Sequence, residues 1–208
     1  MHDIQFFHIS PSRSSIVHWM LEELGEPFDV HLLNYKEGEN RKEEFLKINP
    51  MGKVPTITFK GEVITEAAAI CLFLADQFPQ KKLNIPIGQS ERGSFLRWLF
   101  FGPSCIEPAL IAKASEYEEM PVGTAGWGNY QLVIDVLESH LKDRKFVVGD
   151  RFTAADVIVG SQIHWGQMYE LIPKGGVLED YTKAMTDRPA HQRASAKDME
   201  WAPQSNPR

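Results

Sequence analysis

The stretch Asn49-Pro50-Met51-Gly52-Lys53-Val54-Pro55-Thr56-Ile57-Thr58-Phe59-Lys60-Gly61-Glu62-Val63-Ile64-Thr65-Glu66-Ala67 decides the fold. Thr56–Phe59 and Glu62–Ile64 flank Lys60-Gly61, a pattern that predicts an antiparallel hairpin with a tight turn. Thr65 is placed to cap a third helix, Glu66–Phe78, which Pro79 terminates. Upstream, Ile4, Phe6 and His8 alternate with Gln5 and Phe7, opening a short strand. Ile16, Val17, Met20, Leu21 and Leu24 then recur at helical spacing and stop at Gly25. Val30–Leu33 reads as a second strand, and a short helix is expected around Glu43–Ile48. The order is βαβ–α–ββ–α. A helix joins the first two strands, so they run parallel, while the hairpin is antiparallel. The smallest closed solution is a four-stranded mixed sheet with helices on both faces.

Downstream the pattern becomes helical throughout. Ser90–Tyr117 is one long amphipathic run with a break expected at Gly102-Pro103. Leu132, Val133, Val136, Leu137 and Leu141 form a further apolar stripe. Thr153-Ala154-Ala155-Asp156 matches a capping box. The helix it starts, Ala154 to about Tyr169, is apolar on every side and predicts burial at the centre of a bundle. Leu178–Met185 and Pro189–Ala196 read as helices, and Trp201–Arg208 as an extended tail. Residues 1–80 carry 7 basic and 12 acidic groups, against 15 and 16 in residues 81–208. With the prolines and glycine of Pro79–Gly88, this predicts a first domain over 1–79, a linker over 80–87 and an all-helical domain over 88–208.

Composition narrows the function. The 208 residues carry a net charge of −6, with 43% hydrophobic and 24% charged side chains. That is globular composition without the broad positive field of nucleic-acid or polybasic membrane binders. Two cysteines exclude a disulfide scaffold and a four-cysteine zinc site. No apolar run of the ~18–20 residues needed to span a bilayer is expected, and Met1–Gln5 has no signal-peptide character. The expected compartment is the cytosol.

Four features offer chemistry, each with a plain structural alternative. Ser10-Pro11-Ser12-Arg13-Ser14-Ser15 joins a strand to a helix; it reads as an anion-holding helix start or as a serine-rich cap. Val54-Pro55 enters a strand, where proline is unusual. A cis bond there would turn the Val54 backbone outward to pair with an extended peptide; the alternative is a plain loop. Thr65-Glu66-Ala67 reads as a zwitterion site or as an acid complementing the helix dipole. Phe95, Trp98, Phe100 and Phe101, with Tyr117, Trp165 and Tyr169, line an apolar pocket or fill a core. Cys71 and Cys105 read as buried small hydrophobes. The seven histidines show no paired ligand spacing, so no metal is expected.

Taken in order, four stretches resemble the cytosolic glutathione transferase family over about residues 3–198. They are Arg13-Ser14-Ser15 leading into Trp19–Gly25, Asn49–Pro55, Thr65–Ile70, and Val148–Asp156. The first two are similar to bacterial members. The resemblance implies a thioredoxin-like first domain, an all-helical second domain and a homodimer. It also implies glutathione as co-substrate, with Val54 pairing its cysteinyl backbone beside a cis Pro55. Glu66 would take the γ-glutamyl ammonium, and the Ala67 N–H its carboxylate. Lys53 and Arg41 would meet the glycyl carboxylate, with Asn40 beside them.

Family members activate the thiol with Tyr, Ser or Cys after the first strand. Here the resemblance points to Ser10 first and Ser12 second, with Arg13 adding positive potential. A hydroxyl donating to the thiolate lowers the thiol pKa from its usual ~8.5. Where the family often has serine, this chain has Ala67, one fewer side-chain bond to the γ-glutamyl carboxylate. The implied reaction is attack of the glutathione thiolate on an electrophilic apolar substrate held by Trp98, Phe101, Cys105 and Trp165. The alternatives are a glutathione-dependent peroxidase or disulfide reductase, and a non-catalytic binding protein of the same fold.

Overall fold

The computed structural model describes residues 2–115, 121 and 123–205, so Tyr117 and the end of the run predicted from Ser90 lie outside the described residues. The strands are β1 (Ile4–His8), β2 (Phe28–Leu32), β3 (Thr56–Phe59) and β4 (Glu62–Thr65). The helices are α1 (Ser14–Leu24), α2 (Glu43–Leu46), α3 (Ala67–Gln77), α4 (Arg92–Phe101), α5 (Glu107–Ala114), α6 (Tyr130–Leu141), α7 (Ala154–Met168), α8 (Gly176–Thr186) and α9 (Pro189–Ser205). The chain forms two compact units, residues 1–78 with 188–208, and residues 79–187.

In the first unit the sheet order is β2-β1-β3-β4, with β1 and β2 parallel and the other pairs antiparallel. This is the expected mixed sheet. Ile4, Phe6 and His8 are buried, and Phe6 meets His18 of α1. The intervening Phe7 points the other way and meets Phe45 of α2. Period-2 alternation thus puts helices on both faces. Thr65 ends β4 and does not cap α3; Glu66 precedes the helix with φ +67°.

The long C-terminal helix α9 also belongs to this unit, a departure from the expected 88–208 domain. It packs along α1. Arg188 makes a bidentate pair with Glu23 at 2.6 and 2.8 Å, Arg193 reaches Glu22 at 2.7 Å, and the His191 ring meets Trp19. The expected tail from Trp201 is helical to Ser205 despite Pro203. Trp201 stacks on His18, and the Ser205 carbonyl accepts from Tyr35 N–H at 2.7 Å. These contacts hold a segment whose composition alone favours an open chain.

In the second unit α7 is buried on nearly every side, as its uninterrupted apolar run predicts. Its capping box is formed: Thr153 Oγ1 accepts from Ala155 N–H, and Asp156 Oδ2 accepts from Thr153 N–H at 2.9 Å. Asp156 Oδ1 also accepts from Val147 N–H and the Tyr181 hydroxyl. Burial pushes this carboxyl up to about 6, against the pull of those bonds. The folded chain therefore holds the proton to higher pH than the unfolded one. This group's contribution to stability falls as pH rises through about 4 to 6.

The segment expected as a linker is docked instead. Leu83 and Ile85 are buried, Ala154 N–H donates to the Leu83 carbonyl, and Arg151 donates to the carbonyls of Lys82 and Asn84. The expected break at Gly102-Pro103 is a π-helical turn, Gly102–Ile106, between α4 and α5. The whole of Arg92–Ala114 is helical and, by length and composition, apolar enough to cross a membrane, which amends the expectation of no such run. Here it carries Phe95, Trp98, Leu99 and Ile106 into the core.

A Cβ at Gly102 would overlap the Ile158 Cγ2 methyl of α7, with Gln162 Oε1 3.1 Å away. Overpacking of this kind costs about 1–3 kcal/mol. Gly102→Ala should lower stability by that amount in urea unfolding, whereas Gly93→Ala, where a Cβ meets nothing within 4 Å, should not.

Candidate active site

Strand register assembles the site. Phe7 lies opposite Thr56, and Thr56 opposite Thr65. The loop after β1, the Lys53–Pro55 entry to β3 and the Glu66–Ala67 start of α3 therefore share one end of the sheet. The starts of α1 and α3 are there too, and helix starts favour anions.

The Val54–Pro55 bond is cis, as expected, and Ser10–Pro11 is cis as well. Among the described residues, neither the N–H nor the C=O of Val54 makes a hydrogen bond. The loop before it is tied down. Asn49 Nδ2 donates to the Lys53 carbonyl at 2.8 Å and to Thr56 Oγ1 at 3.0 Å. Asn40 is buried, with Nδ2 donating to the Gly52 carbonyl at 2.9 Å. Its amide thus supports the loop and does not face a ligand. Arg41 donates to the Met51 carbonyl at 3.1 Å, and Lys53 is exposed. Gly52 has φ +61°, and a Cβ there would lie 2.7 Å from the Asn40 carbonyl oxygen. Only glycine fits that approach.

Glu66 is exposed, with no partner for its carboxylate among the described residues. Its left-handed backbone is a conformation that costs a non-glycine residue about 1–3 kcal/mol. The first N–H groups of α3, from Ala67 onward, have no intrahelical acceptor.

The serines divide. Ser10 is 1% exposed, and its hydroxyl donates to the Asp198 carbonyl at 2.7 Å. Its proton is committed to α9, which removes the basis for preferring Ser10. Ser12 is half-buried, and its Oγ accepts from Ser14 N–H at 3.1 Å. Arg13 is exposed at the start of α1.

Of the expected apolar residues, Trp98 is wholly buried, with its ring against Phe101, His140 and the Arg97 guanidinium. It is a core residue and offers no face to a substrate. Phe101, Cys105 and Trp165 are half-buried. Burial pushes the Cys71 thiol well up, consistent with a packing role.

One cluster has no counterpart in the sequence reading. Asp198 Oδ1 accepts from His18 Nδ1 at 2.5 Å and lies 3.2 Å from His8 Nε2. The second contact is off-axis, so it is governed by charge more than by hydrogen-bond direction. His8 and His18 are buried. The three side chains are of metal-ligating types, yet His18 and Asp198 close into a hydrogen-bonded pair and are not spread about an ion. Burial opposes ionisation of Asp198, but the bonds and charges of His18 and His8 outweigh it and hold the carboxyl well below its usual range. A separation of 180 residues between His18 and Asp198 hid the cluster. The only available signal was the inward position of His8 in β1.

A four-stranded mixed sheet with an open backbone edge, two helix starts and a separate helical unit defines a thioredoxin-like fold joined to an all-helical domain. Residues 12–77 match the family model described as glutathione S-transferase, N-terminal domain, and residues 128–188 that described as glutathione S-transferase, C-terminal domain. Glutathione S-transferase 1 of Schizosaccharomyces pombe is 30% identical over 161 residues, 73% of this chain and 69% of that protein. Glutathione S-transferase GstA of Escherichia coli O157:H7 is 24% identical over 92% of this chain and 96% of its own. A sphingomonad glutathione S-transferase complexed with glutathione superposes with a TM-score of 0.78 at 27% identity, covering 94% of this chain and 98% of its own. The chain belongs to the glutathione S-transferase family of enzymes.

The Asp198 carboxyl is depressed on folding, so its stabilisation is present above the unfolded value, about 4, and is lost as pH falls through that value and below. Asp198→Asn should reduce stability at pH 7 by on the order of 2 kcal/mol. Urea titrations from pH 7 to pH 3 should show the difference from the parent chain shrinking with acidity.

Proposed function

We propose that the protein conjugates the thiolate of glutathione to small apolar electrophiles. The observation that carries this reading is the Val54 backbone, unpartnered among the described residues, beside a Glu66 carboxylate equally without a partner there and the start of α3. An extended peptide pairs with such a backbone, and its zwitterionic end finds a carboxylate and a helix start side by side. In this reading Val54 holds the cysteinyl backbone, Glu66 the γ-glutamyl ammonium and Ala67 N–H the γ-glutamyl carboxylate. Lys53 and Arg41 face the glycyl carboxylate, while Asn40 and Pro55 shape the loop that presents them.

The thiolate accepts a hydrogen bond from the Ser12 hydroxyl, assisted by Arg13 and the α1 dipole. Ser12 takes this role because Ser10 is bonded to the Asp198 carbonyl. Phe101, Cys105 and Trp165 are the apolar residues assigned to the electrophile, without Trp98. The protein acts in the cytosol as a homodimer and needs no metal for this chemistry.

Calorimetry should detect glutathione binding. Glu66→Gln should weaken it about tenfold, since a bond to a charged group contributes ~1.5–3 kcal/mol and 1.4 kcal/mol is a factor of ten. Ser12→Ala should lower turnover of a nitroaryl chloride at least tenfold and reduce the ultraviolet thiolate absorbance of the complex. Unchanged turnover in Ser12→Ala would remove the assignment, and no binding heat at millimolar glutathione would remove the function.

A further inference from the structure

We propose that His8 and Ser14 are positioning residues whose proton arrangement decides whether the Ser12 hydroxyl donates outward to a ligand or inward to the protein. The inference rests on the reading of Ser12 as the thiolate's donor. The geometry is a chain of close polar contacts. Ser12 Oγ is 2.7 Å from Ser14 Oγ, Ser14 Oγ is 2.7 Å from His8 Nδ1, and His8 Nε2 is 3.2 Å from Asp198 Oδ1. Ser14 and His8 are 0% exposed, so bulk water offers neither of them a competing hydrogen-bond partner.

Each 2.7 Å contact needs one proton between its two atoms, and Ser14 has one hydroxyl proton to give. Suppose His8 is neutral with its proton on Nε2, facing the Asp198 carboxylate. Its Nδ1 is then a bare acceptor, and Ser14 must donate to it. The proton in the Ser12–Ser14 contact must come from Ser12. Ser12 then points inward and shows a lone pair to the ligand, which repels a thiolate.

Suppose instead that His8 carries both ring protons. Nδ1–H donates to Ser14 Oγ, and the Ser14 proton turns to Ser12 Oγ. Ser12 now accepts from Ser14 O–H at 2.7 Å and Ser14 N–H at 3.1 Å. Both its lone pairs are filled and its own proton is free to donate outward. The Ile9 carbonyl competes for the Ser14 proton from 3.1 Å, a longer contact than that to Ser12. The remaining neutral tautomer would set the bare Nε2 lone pair against an ionised Asp198, which disfavours it.

The titratable groups facing the His8 ring are Asp198 from α9 and His18 from α1. Its other ring neighbours, Phe6 of β1 and Trp201 of α9, carry no charge. β3 has no charged side chain, and Asp29 and His31 of β2 are bonded to His2 and Gln5. Through the Nε2 contact the carboxylate of α9 is joined to Ser12 by way of His8 and Ser14. A thiolate accepting from Ser12 belongs with the state in which Nδ1–H donates to Ser14.

The test combines kinetics with nitrogen-15 NMR of histidine-labelled protein, which reads the His8 ring without any ligand. The relay predicts Nε2–H in the neutral ring and both protons in the acidic form; a neutral Nδ1–H tautomer overturns it. The turnover ratio of the parent chain to Ser12→Ala should be at least tenfold where NMR shows His8 doubly protonated. It should fall toward unity as the ring titrates. In Ser14→Ala, the effect of also removing Ser12 should not vary with pH. In His8→Asn the amide N–H replaces Nδ1–H, so the Ser12 effect should stay high throughout. A ratio that is large but constant with pH, or a fall that persists in Ser14→Ala, overturns the relay and leaves the glutathione site standing. A ratio near unity where NMR shows the ring doubly protonated, with glutathione still bound, overturns the Ser12 assignment and the relay together.

Discussion

A single carboxylate, delivered by the last helix, sits between two imidazoles that have almost no contact with solvent. A buried imidazole whose N–H has no partner carries a desolvation penalty. With Asp198 in place the penalty is offset, and the arrangement fixes three elements at once: β1 through His8, α1 through His18 and α9 through Asp198. The indole of Trp201 lies against both imidazoles, and the ion pairs from Arg188 and Arg193 align the helix on α1. The loop carrying the serines begins directly after His8, and Ser10 is bonded to the backbone of Asp198 itself. The geometry of that loop therefore depends on a contact made far along the chain.

The rest of the site follows from sheet topology. Antiparallel register brings the entry to β3 and the exit from β4 to one end, beside the loop that leaves β1. Side chains tie the loop's carbonyls: Asn40 serves that of Gly52, Asn49 that of Lys53 and Arg41 that of Met51. Among the described residues, the Val54 backbone and the carboxylate of a strained Glu66 have no such partner. Polar groups left open in an otherwise well-bonded loop mark where a ligand completes the pattern.

Much of this was legible in the sequence, for reasons that differ by element. The hairpin around Lys60-Gly61, the stripe of α1 and the apolar run of α7 carry their periodicity in consecutive residues, so local reading suffices. The capping box of α7 spans four residues and is equally local. Thr65 was misread because a strand end and a helix cap share residue preferences, and the turn at Glu66 has no compositional mark. The docking of α9 on α1 depends on Arg188, Arg193, Asp198 and Trp201, each unremarkable on its own helix. Ser10 and Ser12 could not be separated by spacing, since only the partner of each hydroxyl distinguishes them. Trp98 was assigned to a pocket because aromatic residues suit cores and pockets alike.

The closing helix of the first unit follows every element of the second along the chain. During synthesis, the whole of Pro79–Asp187 leaves the ribosome before α9 can reach α1. Until then His8 and His18 lack the carboxylate and the indole that α9 brings to them, and the face of α1 that α9 covers stands open. A chain cut short before α9 therefore leaves incomplete the unit whose first residues were made earliest.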